Sequence, residues 1–218
     1  MTKNLIERIL TSLFLLFILS ISVIINKHLF LVMLIVSSLI SFNEFNNLIK
    51  KSFKKKIKLI TTIQILSVLF FILFVYTSYE IYGRSLIVII WIISICIFSD
   101  TGGFIIGKLV GGRKLTKISP NKTIAGSIGS FIFSLIPLIF FYQINDINNN
   151  IHFVLLLITN LFLSLICQAG DLLISYFKRK AKVKDTGSIL PGHGGLLDRI
   201  DGLIFVLPAF YLIDKIIF

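Results

Sequence analysis

Two stretches of this chain carry residues whose types and spacing suit chemistry, and the richer one runs from Gly170 to Asp201. It opens as GDLLISYFKRKAK, in which Asp171, Ser175, Lys178 and Lys182 follow at steps of four, three and four, so they share one face of a helix. It continues as VKDTGSILPGHGG. Lys184 and Asp185 lead into Gly187, Pro191, Gly192, Gly194 and Gly195, a density of Gly and Pro that forbids a regular helix. It suits a loop that brings backbone N–H groups close to a ligand. His193 sits in its middle, where a lone histidine is more often structural than catalytic. The stretch closes as LLDRID. A helix beginning near Leu196 puts Asp198 and Asp201 on one face, with Arg199 between them. Two carboxylates so placed repel unless a cation or a base lies between. Arg199 can pair locally, but Mg²⁺ would hold both, with Asp171 joining, and keep sites for phosphate oxygens. Carboxylates, several Lys and Arg, and a Gly-rich loop are the equipment for a Mg²⁺-dependent reaction at a phosphate group. For covalent catalysis the pairing of Ser175 with His193 is weak.

The second stretch is SDTGGFIIGKLVGGRKLTKISPNKT, Ser99–Thr123. Gly102, Gly107 and Lys108 fit most of a P-loop, but Leu109 stands where a Mg²⁺-binding Ser or Thr belongs. The apolar run before it reads as a membrane helix and not a strand, so the motif fails in context. Gly103, Gly107 and Gly111 recur every four residues, which on a helix permits close backbone packing. Asp100 ends the preceding span, as an interfacial cap or a site residue. Ser119, Pro120, Asn121, Lys122 and Thr123 open the next helix, with Pro favouring the start. Free N–H groups there, together with Lys122, would suit a phosphate.

These segments must be held by membrane helices. The chain has 218 residues, 56% of them hydrophobic, and a mean hydropathy of +0.96. Continuous apolar runs recur from end to end, which predicts an all-α, polytopic integral membrane bundle and no separate soluble domain. The expected spans are Ile9–Ile25, Leu29–Phe45, Ile57–Tyr76, Leu86–Ser99, Ile124–Tyr142, Phe153–Ile174 and Gly202–Phe218. Residues 101–110 either extend the fourth span or form an eighth, membrane-embedded half-helix. Residues 1–85 read as N-terminal transmembrane helices and 86–218 as the catalytic core of one continuous membrane domain. The first span follows Lys3 and Arg8 as a signal peptide would, but no small-x-small cleavage site follows it, so it reads as a retained helix. With a cytoplasmic N-terminus and seven spans, every basic residue except Lys27, Arg84 and Lys215 falls on the cytoplasmic side. That asymmetry, plus attraction to anionic lipid, accounts for the net charge of +12 without nucleic acid. The lysine run from Lys50 to Lys58 has no acidic or Gly partners and keeps that same reading, topology signal plus attraction to anionic lipid. Cys96 and Cys167 lie inside apolar runs and read as small core residues. An Asp at mid-membrane costs about 2.5–3.5 kcal/mol, which makes Asp171, near the cytoplasmic end of its span, a functional candidate.

Ser175 to Asp201, SYFKRKAKVKDTGSILPGHGGLLDRID, resembles the signature of the phosphatidate cytidylyltransferase (CDP-diacylglycerol synthase) family at every signature position. GDLL, SDTGG and SPNKT resemble the family's segments too, so the likeness covers roughly residues 99–201. It implies a cell (inner) membrane enzyme converting CTP and phosphatidate to CDP-diacylglycerol and pyrophosphate at the cytoplasmic face. It further implies Mg²⁺ on Asp171 and Asp198, with Asp201 supporting them or binding a second cation. Lys178, Arg179, Lys184 and Arg199 would neutralise phosphates, with Asp185 and His193 in the same catalytic stretch. Ser175, Gly192, Gly194 and Gly195 would position phosphates, and Asp100, Ser119, Lys122 and Thr123 would line the other side. Two positions depart from the family pattern: Ala125 and Ile174 stand where acidic residues are usual. Alternative readings are a CTP-dependent enzyme with another lipid acceptor, a cation transporter, and a low-activity homologue. Small-xxx-small faces also suit a homodimer.

Overall fold

The computed structural model describes residues 3–54, 56–116, 118–146, 153–192 and 194–217. Lys55, Lys117 and His193 lie outside the described residues. Every regular element among those described is a helix: α1 (Lys3–Ile25), α2 (Lys27–Ser52), α3 (Ile57–Arg84), α4 (Leu86–Val110), α5 (Ile124–Asp146), α6 (Phe153–Lys180), α7 (Leu197–Ile200) and α8 (Leu203–Ile217). Five of them, α2 to α6, contain segments long and apolar enough to cross a membrane. Large apolar side chains stay exposed, among them Phe17 at 63% and Leu109 at 78%. Lipid-facing helices keep such side chains outside, because hydrocarbon solvates them.

The choice left open for residues 101–110 resolves as an extension. α4 runs unbroken for 25 residues, about 37 Å at 1.5 Å per residue. Gly102, Gly107 and Lys108 therefore lie on a helix and not in a phosphate-binding loop.

The chain forms two compact units, residues 1–83 with 177–200, and residues 84–176 with 201–218. In the first unit, Asn26 caps α2 by accepting from Leu29 N at 2.7 Å. Tyr82 Oη donates to Val23 O at 2.8 Å, and the Lys27 ammonium lies 3.7 Å from the Tyr79 ring centroid. At the other end of α2, Ser52 Oγ donates to Phe177 O at 3.3 Å and Lys180 lies 3.8 Å from the Phe53 ring centroid. α6 stops in a Schellman motif: Lys182 N donates to Arg179 O at 3.1 Å and Val183 N to Lys178 O at 3.0 Å. Lys182 takes φ 56°, so the helical row that begins at Asp171 ends before it.

In the second unit, glycines bring α4 and α5 into backbone contact. A Cβ on Gly126 would fall 2.7 Å from Gly103 O and 3.2 Å from Gly107 Cα. One on Gly129 would fall 2.8 Å from Gly102 O. The expected Gly103–Gly107 face is thus taken by α5 within the chain, and the homodimer draws no support from it. Gly111 leaves that row: with φ 64° it ends α4, its N–H donating to Gly107 O. Trp91 of α4 stacks on Phe141 of α5 at 4.3 Å and meets Phe210 of α8 edge-on at 6.0 Å.

Gly126→Val is expected to lower the thermal midpoint in detergent through a loss of about 1–3 kcal/mol or more, because the added carbons meet backbone that cannot swing away. An exposed control, Ile132→Val on α5, should leave the midpoint close to wild type.

Candidate functional site

The signature loop folds around carboxylates. In the first unit, Leu190 and Gly194 exchange both backbone hydrogen bonds, at 2.9 and 3.1 Å, which closes a tight turn. Gly192 and Gly194 take φ 72° and 87° inside it, a region that favours glycine. A Cβ on Gly194 would also stand 2.7 Å from Asp185 Cβ and 3.2 Å from Asp198 Oδ2. Asp198 lies in the first turn of α7, its side chain 7% exposed. Its Oδ2 accepts from Thr186 N at 2.8 Å, Thr186 Oγ1 at 2.9 Å and Gly195 N at 3.1 Å. Its Oδ1 accepts from the Lys178 ammonium at 2.7 Å. Lys184, Asp185 and Gly192 are exposed along the same loop, Arg199 on α7 and Arg179 at the end of α6.

A further carboxylate enters this cluster from a distant part of the chain. Glu44 of α2, 4% exposed, accepts from Leu196 N at 3.1 Å, Leu197 N at 2.9 Å and Thr186 Oγ1 at 3.0 Å. Hydrogen bonds to a charged group contribute about 1.5–3 kcal/mol each, which offsets the desolvation of a buried carboxylate. Sequence reasoning missed Glu44 and Thr186. The signal for Glu44 was present: an ionisable residue inside an apolar span is a functional candidate.

The second unit holds its own polar cluster. Asp171 on α6 pairs with Lys122, which lies just before α5, and accepts from Ser175 Oγ at 3.3 Å. Thr123, and not Pro120, starts α5: its Oγ1 accepts from Gly126 N at 3.0 Å as an N-cap does, while Pro120 stands in the turn before it. Ile124 N donates to Arg113 O at 3.0 Å, so two of the N–H groups expected to await a phosphate, those of Ile124 and Gly126, already have acceptors. Ser119 N donates to Thr116 Oγ1 at 3.3 Å, and Lys122 N to Ser119 O at 3.1 Å. Asp100 is exposed and accepts from Cys167 Sγ at 3.9 Å. Asp201 is buried in the turn between α7 and α8, its Oδ1 accepting from Gly202 N at 2.9 Å. α7 closes after Ile200, so Asp198 and Asp201 do not share one continuous helix. Ser127 Oγ donates to Gln168 Oε1 at 2.6 Å, a pair the sequence did not flag. Ile174 is fully buried and Ala125 half-buried.

Among the described residues no three His, Cys, Asp or Glu side chains converge as a metal cage. The donor chemistry of Asp171, Asp198 and Asp201, hard carboxylate oxygen, is nonetheless that of Mg²⁺. Lysines hold an oxygen of Asp171 and one of Asp198, and in each case a cation replaces a cation if metal binds.

The profile of the cytidylyltransferase family matches residues 62–217. The chain belongs to that family. Among its relatives, the phosphatidate cytidylyltransferase of Staphylococcus haemolyticus (strain JCSC1435) is 54% identical over 112 residues, 50% of this chain and 42% of that protein. That of Staphylococcus aureus (strain COL) is 49% identical over 132 residues, 60% of this chain and 50% of that protein. That of Staphylococcus saprophyticus is 47% identical over the same length. The chain spans about half the length of the curated relatives it matches. In this cytidylyltransferase-family chain, the match includes both clusters except Glu44.

The two lysine–aspartate pairs should differ in weight. The side chains of Lys178 and Asp198 are 14% and 7% exposed, those of Lys122 and Asp171 28% and 25%. Lys178→Met is expected to destabilise by about 3–5 kcal/mol, because it strands a buried carboxylate. Lys122→Met should lower the thermal midpoint less, and Lys178→Met/Asp198→Asn should recover part of the loss.

Proposed function

We propose that this chain is a phosphatidate cytidylyltransferase, making CDP-diacylglycerol and pyrophosphate from CTP and phosphatidate. The observation that carries this reading is the signature stretch itself, which folds as one connected loop around the Lys178–Asp198 pair. The names of the relatives support it. The phosphatidate phosphate attacks the α-phosphorus of CTP in line. A new P–O bond forms as the bond to the β-phosphate breaks, and pyrophosphate leaves. A phosphate dianion is already a nucleophile, so the protein's part is positioning and charge stabilisation.

In this reading Asp198 of the first unit and Asp171 and Asp201 of the second are the residues that would hold Mg²⁺, which when bound would supply charge neutralisation for the triphosphate. Lys178 and Lys122, each on an aspartate in the structure, lie beside the proposed carboxylates and would supply positive charge to phosphate oxygens. Lys184, Arg179 and Arg199 are exposed and screen the lipid and pyrophosphate charges. Ser175, Gly192, Gly194 and Gly195 orient phosphates, with Asp100, Ser119 and Thr123 lining the second cluster. Asp185 and His193, in the same stretch of sequence, take part in catalysis in this reading.

The orientation proposed is seven spans with a cytoplasmic N-terminus, α1 and α8 completing the five long helices, in the cell membrane. Pairs of segments that charge assigns to one side also meet within each unit. Lys27 meets Tyr79, and Arg84 pairs with Asp214 of α8, on the outer side. Ser52 meets Phe177, and Lys122 pairs with Asp171, on the inner side. Phosphatidate then enters from the bilayer and CTP from the cytoplasm.

Purified protein in detergent–lipid micelles should convert radiolabelled CTP and phosphatidate to CDP-diacylglycerol. A chelator should abolish turnover and added Mg²⁺ restore it. Asp198→Asn should lower kcat by about 10²-fold or more, as expected when a group stabilising developing charge is lost. Wild-type turnover by this variant at normal expression would remove Asp198 from the machinery. Conversion with a different lipid acceptor, and none with phosphatidate, would move the assignment to a related transferase.

A further inference from the structure

The first helices have no assigned chemistry, and the family match begins only at residue 62. Glu44 lies before it, on α2, yet its carboxylate is buried against the signature loop. All three of its hydrogen-bond donors belong to residues 186–197. Among the described residues its partners are N–H and O–H donors and not an ammonium or guanidinium. That arrangement suits an anchor for backbone better than a salt bridge tuned for stability.

Two glycines mark how close the anchor comes. A Cβ on Gly187 would fall 2.5 Å from Glu44 Oε1 and 2.9 Å from its Cδ. One on Gly195 would meet Glu44 Oε2 and Thr186 Oγ1, and stand 2.7 Å from Gly187 N. Part of the glycine density in the signature is therefore required by a carboxylate of the protein itself. Thr186 completes the link. Its single hydroxyl proton serves Glu44 Oε2 at 3.0 Å and Asp198 Oδ2 at 2.9 Å, one at a time. Its N–H stays on Asp198. Glu44, Thr186 and Asp198 thus form one chain of contacts from α2 to the aspartate proposed to act.

We infer that Glu44 is a positioning residue: through Thr186, Leu196 and Leu197 it holds the signature loop so that Asp198 faces its substrate ready-made. It rests on the transferase reading for its activity arm, while its structural arm stands without it. The first helices then clamp the catalytic loop besides crossing the bilayer.

The test uses the full chain in detergent–lipid micelles and reads hydrogen–deuterium exchange and kinetics together. In Glu44→Gln, backbone exchange of residues 185–197 should rise about tenfold to a hundredfold, while exchange across the α4–α5 seam stays at wild-type rates. kcat/KM for CTP should fall about tenfold or more, carried mainly by kcat. Thr186→Val should raise exchange in the same segment, and Thr186→Ser should restore both readouts. If Glu44→Gln does not fold, the Thr186 pair decides alone. Unchanged exchange at 185–197 in Glu44→Gln, or equal behaviour of Thr186→Val and Thr186→Ser, overturns the inference. A wild-type protein without transferase activity, but with the exchange pattern above, would overturn the proposed function and keep the anchor.

Discussion

A loop without helix or strand of its own must find acceptors for its N–H groups, and in the signature loop two carboxylates supply them. Asp198 takes the N–H groups of Thr186 and Gly195, and Glu44 those of Leu196 and Leu197. The two acids meet at one hydroxyl, that of Thr186. Charged acceptors make strong bonds to backbone amides. The reciprocal need is as strong, because a carboxylate buried among apolar helices requires donors. Each side satisfies the other, and the loop gains a defined shape in a part of the chain rich in Gly.

That arrangement has a consequence for chemistry. Asp198 is fixed on one oxygen by two backbone N–H groups and, in turn with Glu44, by the Thr186 hydroxyl, and offers its other oxygen to Lys178. The aspartate is oriented before any ligand arrives. Lys122 on Asp171 repeats the pairing of ammonium with carboxylate in the other unit. An enzyme acting on phosphates gains from cations and carboxylates set in advance, since little reorganisation is then left for the reaction.

Besides Gly187 and Gly195, which leave room for Glu44, two further kinds of glycine have their own physical reasons. Gly103, Gly107, Gly126 and Gly129 bring two helices to backbone contact: a Cβ on Gly126 or Gly129 would collide with α4 backbone, one on Gly103 would meet the Ser130 hydroxyl, and one on Gly107 would crowd Thr123 Oγ1. Gly192 and Gly194 supply a backbone conformation with positive φ. Spacing alone predicted the first kind at 103 and 107 and wrongly added Gly111, because a period of four does not say where the helix stops.

The sequence alone determined that this is a helical membrane protein, since continuous apolar runs leave few other solutions in lipid. It also determined the family, since residues 175–201 carry a long and specific pattern. Local spacing placed Asp171 beside Ser175, one turn apart on α6. Tertiary structure decided what spacing cannot: that α4 absorbs residues 101–110, that α7 ends after Ile200, and that Lys178 meets Asp198. Above all it decided the part played by Glu44, more than 140 residues from its partners. Periodicity reports which residues share a face of one element. Which acceptor a loop amide finds across the chain depends on how the elements pack.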